Sequence, residues 1–183
     1  MNVINGVDSG FGDMQTFYQF VNRYSASSAT GIGLSAWIPT ASDPNFGTGR
    51  WSIGPSTSFI NVNRRAGYFD GFLMQSFFSF AGPAARGTQS LVTFQPAFVK
   101  LLGSGWSLRS ADATWQFDLA HGSTVMPLSL GFGKLVRMKS QAINFVLADS
   151  VTVVHANGPA APKNTVRFLV RVIYPGNYSR AKR

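Results

Sequence analysis

The 183-residue chain has no cysteine, and its seven acidic residues are all aspartate. Without Cys there is no disulfide framework, no thiolate metal site and no thiol nucleophile. Charged residues amount to 13%, about half the usual soluble share, and Glu and Lys are too scarce for a long coiled coil or a charged helical bundle. No run of about 18 apolar residues occurs, so the chain encodes no transmembrane helix. Met1–Asn5 lack the basic region and apolar core of a secretory leader.

What is present points to strands. Sixteen Phe, five Tyr, four Trp and 19 Gly stand in a chain that is 45% hydrophobic, a composition of a globular or barrel-like protein rather than a disordered one. Aromatic and β-branched runs alternate with turn-rich gaps, which predicts strands over 15–24, 30–38, 50–61, 67–80, 89–100, 106–117, 125–136, 141–153 and 165–174. These runs are longer than the usual five or six residues of soluble sheets and match the roughly nine to eleven of a tilted membrane-crossing strand.

Most runs carry a two-residue period. Ile32, Leu34, Ala36 and Ile38 oppose Gly31, Gly33 and Ser35; Trp51, Ile53 and Phe59 oppose Ser52, Gly54, Ser56 and Ser58. Val92, Phe94 and Phe98 oppose Thr93, Gln95 and Ala97, and Met126, Leu128, Leu130 and Phe132 oppose Ser129, Gly131 and Gly133. In the sixth run Ala111, Ala113, Trp115 and Phe117 oppose Ser110, Asp112, Thr114 and Gln116; in the last, Val166, Phe168, Val170, Val172 and Tyr174 oppose Arg167 and Arg171. An apolar face against a small or polar one is the dyad pattern of a barrel wall. The run 67–80 has apolar residues on both parities, so its sides cannot be assigned.

The expected fold is therefore all-β: an antiparallel transmembrane β-barrel of outer-membrane type. Its lumen-facing candidates are Gln95, Asp112, Gln116, Asn144, Arg167 and Arg171. Trp106 and Tyr174 at strand ends suit an aromatic belt, and Arg109 and Lys134, on apolar faces near strand ends, are placed to snorkel to the membrane interface. Gaps alternate between short (25–29, 62–66, 101–105, 137–140) and longer (39–49, 81–88, 118–124, 154–164), as short periplasmic turns and longer external loops do. Nine visible strands make an odd number, whereas single-chain bacterial barrels are even, so the expectation is an incomplete version of a 10–12-stranded barrel with a strand and leader upstream. Residues 1–14 would form a leading loop or strand remnant, 15–175 the barrel and 176–183 a basic tail.

Other chemistries find little support. His121 and His155 are read as exposed loop histidines rather than a metal pair, and no Ser-His-Asp or paired-carboxylate spacing points to catalysis, so neither enzyme, metal nor cofactor is expected. Gly31-Ile32-Gly33 and Gly131-Phe132-Gly133 lie inside strands, not before a helix, and read as sites of close packing or wall curvature. The net charge of +9 forms no long stripe, which argues against nucleic acid. Arg167 and Arg171, with Asp112 as a counter-charge, either bias permeation or staple the interior, the stapling role being favoured. A soluble β-sandwich binding module is the competing reading, because sandwich strands alternate as well.

A series of ordered motifs resembles a known family: Gly10-Phe11-Gly12-Asp13, Pro39-Thr40-Ala41, Gly49-Arg50-Trp51-Ser52-Ile53-Gly54-Pro55, Gln95-Pro96, Gly105-Trp106-Ser107-Leu108, Met126-Pro127-Leu128 with Gly131-Phe132-Gly133-Lys134, and Arg167-Phe168 through Pro175. Over about 165 residues the chain is similar to the C-terminal two-thirds of a Gram-negative outer-membrane β-barrel family. That family is described as transporters linked to the meta-cleavage pathway of phenol degradation, and also carries a neuromedin-U-precursor-like label. The resemblance implies an outer-membrane location with lipid as partner and a passive channel for small hydrophobic or aromatic solutes. The family's leader and further N-terminal strands have no counterpart in this sequence, and its acidic loop residues are largely absent.

Overall fold

A computed structural model describes residues 10–110, 113–138, 141–157 and 162–173. Ten strands form one antiparallel sheet: β1 (Met14–Arg23), β2 (Ser28–Ile38), β3 (Trp51–Asn63), β4 (Tyr68–Ala81), β5 (Ser90–Gly103), β6 (Trp106–Arg109), β7 (Trp115–Asp118), β8 (Ser123–Arg137), β9 (Ala142–Ala156) and β10 (Asn164–Ile173). A single 3₁₀ turn at Ala84–Arg86 is the one helical element among the described residues. Each strand pairs with its sequence neighbour, except that β6 and β7 together occupy one position between β5 and β8. Among the described residues β1 and β10 do not pair with each other. The sheet nevertheless curls until residues of both border one interior cavity.

The split of β6 from β7 corrects the continuous strand expected over 106–117, and its cause lies on the neighbouring strand. Pro96 sits mid-β5 and faces the β6–β7 side, where it has no N–H to donate. The ladder stops there, and Ser110 bridges the gap. Its N–H donates to the Phe98 carbonyl (2.9 Å), and its hydroxyl accepts from the Phe98 N–H (3.0 Å) and donates to the Pro96 carbonyl (3.3 Å). The interruption also shifts the alternation. Trp115 and Phe117 face outward, but Arg109, of the same parity, faces inward opposite Gly131 and Val99.

The two faces invert the usual partition. Ser35, Ser52, Ser56, Thr93, Ser107, Asn144 and Ser150 are buried on the inner side, with Ser35 at 1% exposure. The outer face presents Ile32 at 66%, Leu130 at 58% and Phe168 at 67% exposure. Few apolar side chains are fully interior; Val146 and Ala148, with Leu169 against them, form the main inner cluster. Register settles the ambiguous fourth run. Gln75 lies opposite Ser56, so Phe69, Leu73 and Phe77 point inward while Phe72, Met74 and Phe78 point outward. Phe59, Phe72, Phe94 and Trp115 then form a continuous outer aromatic row across four strands.

Glycine on the inner face makes the curl feasible. A Cβ on Gly33 would lie 1.8 Å from the Tyr18 carbonyl oxygen, one on Gly54 2.3 Å from that of Ser76, and one on Gly71 2.1 Å from that of Phe59. At Gly31 the missing side chain lets Gln19 pass over β2 and bond Ser56 (2.6 Å) and Ser58 (2.7 Å) on β3. The expectation that in-strand glycines serve close packing and curvature agrees with these contacts. Gly33→Val should lower folding stability by about 1–3 kcal/mol, because backbone must move to admit it. Gly87→Asn, at φ 65° with nothing within 4 Å, should change it little. Urea titration of the refolded proteins compares the two.

Candidate functional site

The strands have a long-loop end (39–50, 82–89, the β9–β10 connection) and a short-turn end (24–27, 64–67, 104–105, 138–141). The connection expected to be longer at 118–124 is a four-residue turn, 119–122, at the long-loop end.

An interior cavity of about 390 Å³ lies toward the long-loop end. Its walls are mostly neutral hydrogen-bonding groups: Gln15, Gln75, Gln95 and Gln116 with Thr93, Thr114, Ser150, Thr152 and Thr165. Trp37 forms an apolar wall and stands edge-to-face on buried Phe77, 5.2 Å between ring centroids. Arg167 supplies the charge. A second cavity of about 420 Å³, bordered by Arg50, Arg86, Gln89, Asp118 and His121, shares Trp37, Leu91, Gln116 and Val125 with the first and forms its mouth. Toward the short turns the interior is more filled, by Val99, Val146, Asn144 and Arg109, whose guanidinium lies over Gly133 with its nitrogens 3.3 Å from where a Cβ would be.

Of the expected lumen residues, Gln95, Gln116 and Arg167 border the cavity. Asn144 and Arg171 face inward opposite each other between β9 and β10, and Asp112 lies outside the described residues. Of the expected interface residues, Trp106 and Lys134 are paired in register on the outer face at the short-turn end. Lys134 Nζ lies 4.6 Å from the Trp106 ring centroid and donates to the Ser104 carbonyl at 2.9 Å. Tyr174 lies outside the described residues. Arg109 is not on the apolar outer face expected for it: the slip in alternation beside Pro96 turns it inward, opposite Gly131 and over Gly133. His121 is in the β7–β8 turn with Nδ1 2.7 Å from Asp118 Oδ2, whereas His155 lies within β9, not in the loop expected for it.

Sequence reasoning missed the mouth. Arg50 and Arg86 come from different loops; Arg50 Nη1 donates to the carbonyls of Gly82 (2.9 Å) and Pro83 (3.1 Å). It also missed the role of Asp13, which ties the start of β1 to the β2–β3 loop. The carboxylate accepts the Thr48 N–H (2.6 Å) and hydroxyl (2.9 Å), the Ala41 N–H (3.1 Å) and the Trp37 indole N–H (3.1 Å). Two of the motifs that carried the family resemblance, Gly10–Asp13 and Pro39–Ala41, thus touch. No family model, curated protein or solved structure matches the chain.

Burial alone would raise the Asp13 carboxyl, but hydrogen bonds from Thr48, Ala41 and Trp37 outweigh it and hold the group below its ordinary value of 3.8. A depressed folded value means that the clasp stabilises above the unfolded pKa and that this contribution fades as pH falls through the folded one. Asp13→Asn should cost about 1 kcal/mol at neutral pH. It should also flatten the acid limb of a stability–pH curve below about pH 4, measured by urea midpoints.

Proposed function

We propose that the chain forms a β-barrel of outer-membrane type in the outer membrane of a Gram-negative bacterium, with hydrocarbon covering the outer face. Its lumen is a passive conduit for small solutes that enter from the long-loop side. The observation that carries this reading is the inverted partition of side chains: serines inside, Phe, Leu, Ile and Val outside. Leaving such side chains in water costs roughly 1.5–3 kcal/mol each, which lipid removes. The outer face also has the expected trimmings of a membrane wall. Trp106 with Lys134 lies at one margin, and Trp51 opens β3 at the other. Strands of 10–15 residues cover a tilted hydrocarbon band, apart from the β6–β7 position, where two short strands share the span.

The β1–β10 opening fits the expectation of a larger barrel. Both strands run from the long-loop end to the short-turn end, so antiparallel closure takes an odd number of further strands. The lining supports small solutes: neutral amides and hydroxyls, and one Trp wall against which a flat hydrophobic or aromatic ring can rest. The activity proposed is passage.

The refolded protein should run as a compact band in detergent that shifts on boiling, and it should swell liposomes in isotonic small sugars or amino acids. A compact β-rich monomer in detergent-free buffer would sink the membrane reading. A heat-modifiable protein without solute flux would leave a closed barrel and remove transport.

A further inference from the structure

We propose that the conduit selects for small anions, with Arg50 and Arg86 collecting them at the mouth and Arg167 receiving them in the inner cavity. The proposal rests on the conduit reading and adds the solute class. Its ground is the charge balance of the inner face, since the outer one carries Lys100 and Lys134 as well as two aspartates. Among the described strand residues, Arg109, Arg167 and Arg171 point to the interior. Asp70 and Asp149 occupy outer-face positions, opposite Phe98 and Leu130 respectively. Asp118 is the one described strand carboxylate on the inner side, and it is engaged by His121 Nδ1 at 2.7 Å and by the N–H groups of Ala120 (2.9 Å) and His121 (3.2 Å). Asp13 is tied up in the loop clasp. Hydrogen bonding discharges neither a guanidinium nor a carboxylate, so Asp118 counts against the arginines, and among the described residues of the inner face the arginines still outnumber it.

The mouth has the chemistry to bind an anion. Arg50 uses Nη1 on two backbone carbonyls, while its Nε is buried without a hydrogen-bond partner. Arg86 passes beside Gly49, whose φ of 67° turns the loop, and borders the same cavity as Arg50. Guanidinium groups match carboxylates and other planar or small anions through charge-assisted bonds. A cleft lined by one sign of charge between low-dielectric walls concentrates the opposite ion. The mouth and inner cavities share Trp37 and Gln116, so an anion leaving Arg50 and Arg86 comes next to amide donors and Arg167.

Reversal potentials across planar bilayers in a KCl gradient test this, with chloride and potassium as probes. Chloride should permeate better than potassium, and Arg167→Gln and the Arg50→Gln/Arg86→Gln pair should each lower that ratio by roughly threefold or more. Potassium preference, or a ratio unmoved in both variants, would overturn the proposal. If no current flows, quenching of Trp37 fluorescence in non-ionic detergent decides, with Trp37→Phe isolating its signal. Iodide should then quench more than caesium, and the Arg50→Gln/Arg86→Gln pair should abolish the difference. That result keeps the anion site and rejects the conduit, whereas equal quenching by the two ions rejects both.

Discussion

A sheet that curls on itself has a small interior, and whatever faces inward must be short or must find a gap. That volume limit organises the whole structure. Gly33, Gly54 and Gly71 present bare backbone to the next strand, Ser35 and Ser52 fill the remaining inner positions, and the large side chains are left with only the outside. Once the bulky residues are outside, the outer wall is largely apolar, Asp70, Asp149 and Lys134 apart, and the hydrophobic effect makes its exposure to water costly. Interior polarity and exterior apolarity are thus two results of one packing constraint.

The few long side chains that do enter are accommodated individually. Gln19 crosses above Gly31 to reach Ser56 and Ser58; Arg109 lies over Gly133; Phe77 and Trp37 meet edge to face. Each polar one is hydrogen-bonded, as buried polar groups require. The outer face solves its own polar problems in the same way. Trp115 points outward, and its indole N–H donates to the Pro127 carbonyl (3.1 Å), beside the irregularity at Met126 and Pro127. At the long-loop end Asp13 fastens the loop that carries Arg50, and Arg50 bonds the Gly82 and Pro83 carbonyls of the loop that carries Arg86.

Legibility in the sequence followed the contrast between faces. Ile32 and Leu34 against Gly33 and Ser35 leave no doubt about which side is which, and β2, β3 and β8 appear where alternation placed them. In β4 the contrast vanishes, because Phe69, Leu73 and Phe77 are bulky yet inward; only pairing of Gln75 with Ser56 identifies their side. The break after Arg109 was invisible for a different reason. It is imposed by Pro96, which is on another strand, and the register that brings the two together is not written in either segment alone. The mouth was hidden likewise, since Arg50, Arg86 and His121 are far apart in sequence and no local spacing links them.

From the sequence alone came the strand class, the approximate strand limits and the inner or outer side of most residues, because a pleated backbone sends successive side chains to opposite faces wherever it runs. The side taken by Arg109, the sides of β4, the Asp13 clasp and the gathering of arginines at the mouth came only with tertiary structure. These depend on which strand lies beside which and in what register, and pairing is a relation between distant segments that local periodicity does not carry.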